Sequence, residues 1–408
     1  MNCGLLGQHL GHSYSPSIHA QLADYQYSIF EKEPEQLEDF LKNGGFHGIN
    51  VTIPYKKSVI PFLDSLSPVA ARLGAVNTIV RRSDGSLIGH NTDYFGVRSM
   101  VEQSGLTPNK KRVLVLGSGG ASNTAVAVLE ELGANVVVIS RSGANNYTNL
   151  HLHKEAAIIV NTTPVGMYPN VGQTPLNLDS FPNLEGVLDI VYNPARTRLL
   201  LDAEQRGLVT MNGLWMLVAQ AKESAEWFTA STIPDERIAG IYRSLSKQME
   251  NIILIGMPGC GKTTVGQSLA SELGRSFVDA DAAIEATAGM SIPDIFTQQG
   301  EQGFRQIETS VLAELGKQSG LVIATGGGCV TRPENYPLLH QNGTIIWLKR
   351  DISQLPTNGR PLSQRNDLNE MYQIRQPMYQ QFSDLIVDNF ADPSHTVQTI
   401  LKLLEAES

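Results

Sequence analysis

The chain has 408 residues, 41% of them hydrophobic and 17% charged, which is the profile of an ordinary globular protein of two or three domains and excludes a disordered chain. A net charge of -9 without a basic tail or a Lys/Arg stripe argues against a nucleic-acid partner, and no apolar run approaches membrane-spanning length. Three scattered cysteines, Cys3, Cys260 and Cys329, suit a reducing compartment, so the expected location is cytoplasmic.

The first predicted strand, Cys3 to Gly7, ends in glycine and leads into a loop in which Ser13 and Ser15 stand two apart. On an extended segment the two hydroxyls face one side and could hold a carboxylate or polyol. A helix cap ahead of Pro16 is the simpler reading of the loop taken alone. Gly48 to Ile53 reads as an apolar strand broken by Pro54 and followed by Lys56. Two further polar clusters, Gly74 to Thr78 and Gly89 to Gly96, are each expected to close a β-like stretch. Asn50, Thr52, Lys56, Asn77, Thr92 and Asp93 could then converge at strand ends, where α/β sheets bind ligands. A Lys–Asp pair beside a carbonyl can polarise the oxygen and donate a proton.

In their order, S-x-S-P, N-V-T-x-P-x-K, G-A-V-N-T and N-T-D-x-x-G resemble shikimate dehydrogenase. The resemblance implies Lys56 and Asp93 as the catalytic pair, with Ser13, Ser15, Thr52, Asn77 and Asp93 on the substrate.

Lys111 to Leu116 is a strand feeding Gly117-Ser118-Gly119-Gly120-Ala121, followed by a helix over Thr124 to Leu132 and a second strand over Asn135 to Ile139. This is a βαβ dinucleotide unit, with the G-x-G-G-A-S spacing of the same family. The second strand ends in Ser140-Arg141-Ser142. An acidic residue there would select NAD, whereas a guanidinium flanked by hydroxyls suits the 2′-phosphate of NADP(H). Strand ends at Asn161 and Asp189, the latter followed by Tyr192, face the cofactor cleft in the family pattern. The resemblance implies that Tyr192 and Gln220 reach substrate, with Gly213 and Met216 near the nicotinamide. Between Arg141 and Asn161 the chain is short where the family has another helix and strand, which bears on the adenine side of the cofactor pocket. His151 and His153 have no partner cluster and are not read as metal ligands. Ile233 to Gln248 reads as a closing amphipathic helix, and no long linker follows it.

Gly256 to Thr263 satisfies G-x-x-x-x-G-K-T after the apolar run Asn251 to Ile255 and before a helix, the context of a phosphate-binding P-loop. Gly256, Gly259, Cys260, Gly261, Lys262, Thr263 and Thr264 would line the triphosphate of ATP, with Lys262 reaching the β- and γ-phosphates. Asp279 and Asp281 form a D-x-D pair expected on one side of a strand end. Together with G-E-x-x-F-R at Arg305, T-G-G-G at Gly327, R-P-L at Arg360 and R-x-x-x-Y at Arg375, this series resembles shikimate kinase. The resemblance implies that Asp281, Arg305, Gly327 and Arg375 grip shikimate and that Asp281 is catalytic. It also implies Thr263 and Asp279 on Mg2+, and Lys262 and Arg360 on the transferring phosphoryl group. The lid from Gly359 to Met371 is short, and arginines that the family carries near the adenine are missing before R-P-L and before Pro393, so weaker ATP binding is expected.

The expectation is an α/β protein. Residues 1–248 form a two-domain shikimate dehydrogenase fold, with a substrate part at 1–98 and 213–248 and a Rossmann-type NADP part at 99–212. Residues 249–408 form a P-loop kinase domain with a parallel sheet. Its substrates would be 3-dehydroshikimate and shikimate, the first half making what the second consumes. An NAD-preferring quinate/shikimate dehydrogenase joined to another polyol kinase is the alternative enzyme. A degenerate binding module in one half is the non-enzyme alternative, opposed by the presence of Lys56, Asp93, Lys262 and Asp281.

Overall fold

A computed structural model of the chain describes residues 1–11, 13–355, 368–389 and 392–406. The chain packs as two units. One comprises Met1–Val165, Thr174–Tyr192 and Asp202–Ser244; the other comprises Gly166–Gln173, Asn193–Leu201 and Leu245–Ser408.

The first unit begins with β1 (Asn2–Gly7), α1 (Ser15–Leu22), β2 (Gln26–Glu31), α2 (Leu37–Asn43), β3 (Gly48–Val51), β4 (Ser65–Leu66), α3 (Pro68–Leu73), β5 (Thr78–Arg81) and β6 (Leu87–His90). These strands form a six-stranded sheet in the order β2-β1-β3-β5-β6-β4. Leu6, Phe40, Ile49, Val51 and Ile79 fill the core against one face. The cluster Gly74 to Thr78 does not close a strand as expected. Gly74 ends α3 in a left-handed conformation and Thr78 opens β5. It still reaches the site because β5 runs antiparallel to both β3 and β6, so Thr78 pairs with Asn50 and with His90. The start of β5 therefore lies at the edge where β3 and β6 end. The cap reading of the serine loop holds in altered form, with Ser13 Oγ accepting the N–H of Ser15 at 3.2 Å. Tyr14, not a serine, occupies the cap position of α1 without a side-chain cap bond, and Ser15 is the helix's first residue.

Next come α4 (Asp93–Gln103), β7 (Arg112–Leu116), α5 (Gly120–Glu131), β8 (Asn135–Ile139), β9 (Ile158–Asn161), β10 (Gly186–Asp189), α6 (Arg198–Glu204), β11 (Val209–Met211), α7 (Leu214–Thr229) and α8 (Glu236–Met249). The second sheet is parallel throughout, in the order β11-β10-β9-β7-β8. β7 has β8 on one side and β9 on the other, so the connections reverse direction there, and the crevice at that reversal is where such sheets bind nucleotides. β8 is an edge strand. Residues 140–157 contain only the short 3-10 turn Leu150–His153, in agreement with the shortened segment read from the sequence. α7 returns to the first sheet and packs on α4, where Gly96 meets the Met216 carbonyl at a spacing that a side chain would close. In α8, Ile238, Ile241, Leu245 and Met249 are buried at helical spacing, and β12 starts two residues after the helix ends.

The second unit continues with β12 (Asn251–Ile255), α9 (Lys262–Leu273), β13 (Ser276–Asp279), α10 (Ala280–Ala288), α11 (Ile292–Gly316), β14 (Leu321–Ala324), α12 (Asn335–His340), β15 (Gly343–Lys349), α13 (Leu368–Phe382), β16 (Leu385–Asp388) and α14 (Pro393–Ala406). Its sheet is parallel, in the order β13-β14-β12-β15-β16, with β12 central and buried on both faces. Continuous apolar runs such as Ile252 to Ile255 and Ile345 to Leu348 are what a sheet covered on both faces requires. α11 kinks at Gly300, whose φ of 68 is a left-handed conformation that suits glycine. Within this unit, the Ala195 N–H donates to Asn342 Oδ1 (2.7 Å) and the Arg196 N–H to the Gln341 carbonyl (2.8 Å).

Candidate active sites

In the first unit the Lys56 ammonium donates to Asp93 Oδ2 at 2.5 Å. Lys56 follows β3 and Asp93 starts α4, so the pair joins a strand end to a helix N-terminus, where a carboxylate is favoured by the helix dipole. Asn77 Nδ2 donates to Asp93 Oδ1 (2.9 Å) and to Thr92 Oγ1 (3.0 Å), while the Thr92 N–H donates to Asn77 Oδ1 (2.7 Å). The Asp93 carboxylate is thus held through both oxygens. Gln220 comes from α7 and turns its Oε1 to Asn77 Nδ2 at 3.4 Å.

Beneath the pair lies a buried polar layer that sequence reasoning missed in part. Ser224 Oγ accepts from Asn50 Nδ2 (2.7 Å), lies 2.9 Å from both Thr78 Oγ1 and Thr92 Oγ1, and donates to the Gln220 carbonyl (2.9 Å). Tyr27 closes the layer by donating to Asn50 Oδ1 (2.8 Å). Ser224 was detectable as the residue one helical turn after Gln220; Tyr27 carried no local signal. The other expected substrate residues differ in exposure and partners. Ser13 Oγ accepts the Ser15 N–H (3.2 Å), Ser15 is buried, and Thr52 is half-buried. Tyr192 packs edge-on against Tyr14 at 6.2 Å, and burial raises its phenol above the usual range.

The turn after β7 leaves a cradle. A Cβ built on Gly119 or Gly120 would meet no atom within 4 Å, and Gly120 begins α5, whose N-terminal N–H groups are open to an anion. Ser122 Oγ donates to the Gly117 carbonyl (2.7 Å) and fixes the turn that carries Ser118 and Ala121. Leu116, Ile139 and Asn161 lie in register across three strands, which brings Ser140, Arg141 and Ser142 to the same sheet edge. Arg141 and Ser142 are exposed. Gly213 lies so close to Ile190 that an added Cβ would stand 1.9 Å from its carbonyl oxygen, and Met216 follows in the first turn of α7. These features fit a dinucleotide: open backbone N–H groups for a pyrophosphate and an exposed cation at the end of β8.

In the second unit the P-loop encloses one end of a cavity of about 590 Å³. Gly256, Gly259 and Gly261 have φ of 143, 84 and 100, which bends the loop so that it opens into α9. Lys262 is buried and donates to the carbonyls of Gly256 (2.8 Å) and Met257 (3.1 Å). Thr263 and Thr264 line the cavity, whereas the Cys260 side chain is fully buried and only its backbone belongs to the loop. The Cys260 carbonyl accepts from Asn389 Nδ2 at 2.5 Å. Thr263 Oγ1 donates to Asp279 Oδ2 at 2.9 Å, so two hard oxygen ligands suited to Mg2+ stand together beside the loop. The D-x-D pair is not strand-borne as expected. Asp279 ends β13 and caps α10, accepting the N–H of Asp281, which sits in the helix's first turn. That turn aims the Asp281 carboxyl into the cavity. Burial raises its pKa, against the lowering pull of Lys262.

The far end of the cavity is cationic. Arg305 Nη1 donates to Glu308 Oε2 (2.7 Å), and both residues are buried. Burial raises the Glu308 carboxyl, opposed by Arg305. Arg305 Nε and Glu308 Oε1 have no hydrogen-bond partner among the described residues. Glu308 escaped the sequence reading, although a carboxylate three residues after Arg305 on a helix is a legible pairing. The three glycines of T-G-G-G form the floor. A Cβ on Gly326 would stand 2.8 Å from Asp281 Oδ1, and one on Gly328 2.1 Å from Arg305 Nη2. Arg375 Nη1 donates to the Gly327 carbonyl (3.1 Å), which also accepts from the Tyr379 hydroxyl (2.5 Å). Arg360 lies outside the described residues, as does most of the segment expected to form the lid.

A family model described as "Shikimate dehydrogenase substrate binding domain" matches residues 5–79, and one described as "Shikimate kinase" matches residues 258–405. The shikimate dehydrogenase (NADP(+)) of Clostridium perfringens (strain SM101 / Type A) is 36% identical over 265 residues, covering 59% of this chain and 97% of that protein. The crystal structure of shikimate dehydrogenase 1 from Peptoclostridium difficile is 37% identical with a TM-score of 0.54, covering 60% of this chain and 97% of its own. A chorismate mutase/shikimate 5-dehydrogenase fusion protein from Clostridium acetobutylicum is 33% identical with a TM-score of 0.58, over 60% of this chain and 97% of its own.

Proposed function

Because the chain belongs to the shikimate dehydrogenase family over 59% of its length and carries a shikimate kinase domain at residues 258–405, we propose that the Lys56–Asp93 cleft and the P-loop cavity catalyse two consecutive reactions. The chain is a bifunctional enzyme of aromatic amino acid biosynthesis. It reduces 3-dehydroshikimate to shikimate with NADPH and phosphorylates shikimate to shikimate 3-phosphate with ATP.

The observation that carries the assignment of sites is the presence, in one chain, of a Lys–Asp couple, a dinucleotide cradle and a P-loop cavity that ends in two arginines. NADPH supplies the hydride. In the first site Lys56 donates its proton to the ketone oxygen as charge develops there, and Asp93 keeps the ammonium in place. Ser13, Ser15, Thr52, Asn77, Tyr192 and Gln220 hold the carboxylate and hydroxyls. Gly117 to Ala121 take the pyrophosphate, Ser140 to Ser142 the 2′-phosphate, and Gly213 and Met216 border the nicotinamide. In the second site Thr263 and Asp279 would hold Mg2+, which supplies charge neutralisation on the phosphates when bound. Lys262 stabilises charge on the transferring phosphoryl group. Asp281 accepts the proton of the attacking hydroxyl, and Arg305, Gly327 and Arg375 hold shikimate. Arg360, outside the described residues, is proposed from the sequence alone as a second phosphoryl cation. Residues 1–248 and 249–408 are the proposed limits of the two catalysts. No helix among the described residues is long and apolar enough to cross a membrane, and we place the enzyme in the cytoplasm.

The test is a paired assay on one preparation: NADP reduction by shikimate and shikimate-dependent ADP release. Lys56→Ala should abolish only the first and Asp281→Asn only the second. Loss of both activities in either variant would refute independent sites.

A further inference from the structure

We propose that Arg350 is an additional nucleotide-binding residue of the kinase site and donates to the phosphate chain of ATP. The proposal rests on the kinase reading of the P-loop cavity. β15 lies beside β12 with Trp347 opposite Ile255, and a Cβ on Gly256 would stand 2.5 Å from the Leu348 carbonyl oxygen. The first glycine of the P-loop therefore abuts β15 just before it ends. Arg350, one residue past the strand, stands at the rim of the loop, and its side chain lines the same cavity as Lys262, Thr263 and Asp281.

What singles it out is its lack of a partner. The other cations of the cavity are engaged: Lys262 with the Gly256 and Met257 carbonyls, Arg305 with Glu308, Arg375 with the Gly327 carbonyl. Arg350 makes no hydrogen bond or ion pair among the described residues, and its buried Nε has no acceptor. A guanidinium presents five donors and cannot lose its proton, so a half-buried one without acceptors is a site for an anion. Two anions enter this cavity. The carboxylate of shikimate has Arg305 and Arg375 at the far end. The phosphates lie at the P-loop, where Arg350 is the arginine beside the loop among the described residues.

The experiment compares Arg350→Ala and Arg350→Lys with the wild type in shikimate-dependent ADP release. It adds inhibition by inorganic tripolyphosphate and by adenosine, and uses thermal unfolding of the kinase half in the same preparations to certify folding. Loss of a charge-assisted donor pair should raise KM for ATP about 10–30-fold in the alanine variant. Tripolyphosphate inhibition should weaken in the same proportion, while adenosine inhibition and the KM for shikimate stay within about twofold. The lysine variant should recover most of the loss, because a phosphate accepts a point charge. An unchanged KM for ATP would overturn the assignment. So would a rise confined to the KM for shikimate, or weaker adenosine inhibition with tripolyphosphate unaffected. Absence of shikimate-dependent turnover in the wild type would sink the kinase reading itself, an outcome distinct from turnover with unaltered KM in the variants.

Discussion

Mild acid should destabilise the dehydrogenase half through two histidines that its interior holds neutral. His19 and His90 are 1% and 3% exposed, and the Nε2 atom of each is buried without a hydrogen-bond partner. His19 stacks on Tyr27 with ring centroids 4.0 Å apart and meets the Tyr25 hydroxyl at 2.6 Å through Nδ1. His90 stacks on Trp227 at 3.6 Å. Burial pushes His19 down from 6.5 to about 3; burial and then Arg82 push His90 down to about 4. Both folded values lie below the unfolded one. Their contribution is therefore whole above pH 6.5 and is lost as the pH falls toward 4 and 3, because the unfolded chain takes up protons that the folded chain refuses. At pH 5 each histidine costs about 2 kcal/mol, or about 4 kcal/mol together, against the roughly 5–15 kcal/mol that holds a domain folded. The assay is urea titration at pH 7 and pH 5, with residual NADP reduction as the probe. The midpoint should drop sharply at pH 5, and a His19→Phe/His90→Gln double variant should lose most of that pH dependence whatever its absolute stability. An equal drop in the double variant would refute the reasoning.

Two further outcomes follow from buried polar groups. Ser224→Ala removes the hydroxyl shared by Asn50, Thr78 and Thr92, which should cost about 1–3 kcal/mol and raise the KM for shikimate in the dehydrogenase assay several-fold without altering ADP release. Lower thermal stability with an unchanged KM would show that Ser224 only supports the fold. Glu308→Ala leaves the buried Arg305 charge with only its longer contact to Glu301 (3.4 Å) and should cost about 3 kcal/mol together with most shikimate affinity of the kinase. Glu308→Gln keeps a hydrogen-bond acceptor and should lose less in both thermal unfolding and KM; equal losses would remove the orienting role given to that acceptor.

The strand that precedes the P-loop, the glycine turn after β7 and the Lys56 and Asp93 motifs were legible because each is a local pattern: an apolar run, a glycine spacing, a polar strand end. What escaped was set by pairing direction and packing. The cluster around Asn77 looks like the end of a strand, and only the antiparallel direction of β5 explains why its beginning serves the same edge. Asp281 looks like a strand residue two positions from Asp279, yet Asp279 caps a helix and turns the chain between them. Ser224 and Tyr27 lie almost two hundred residues apart in sequence and meet only through Asn50. Cys260 falls inside the P-loop motif, but its side chain is fully buried beneath the loop, which no spacing rule reveals.

The two halves meet the same carboxylate with different chemistry. In the dehydrogenase cleft the proposed carboxylate and polyol ligands are hydroxyls and amides, and Lys56 is already paired with Asp93 at 2.5 Å. In the kinase cavity Arg305, itself paired with Glu308 at 2.7 Å, and Arg375, which donates to the Gly327 carbonyl, are guanidiniums that keep further N–H donors for a carboxylate. Neutral donors give modest net binding, whereas charge-assisted donors in a partly desolvated cavity bind a carboxylate more firmly. Shikimate should therefore leave the first site easily and be retained at the second. That gradient favours forward flux without requiring a passage between the sites. A net charge of -9 is compatible with the proposed anionic ligands because Lys262, Arg305, Arg350 and Arg375 line one cavity.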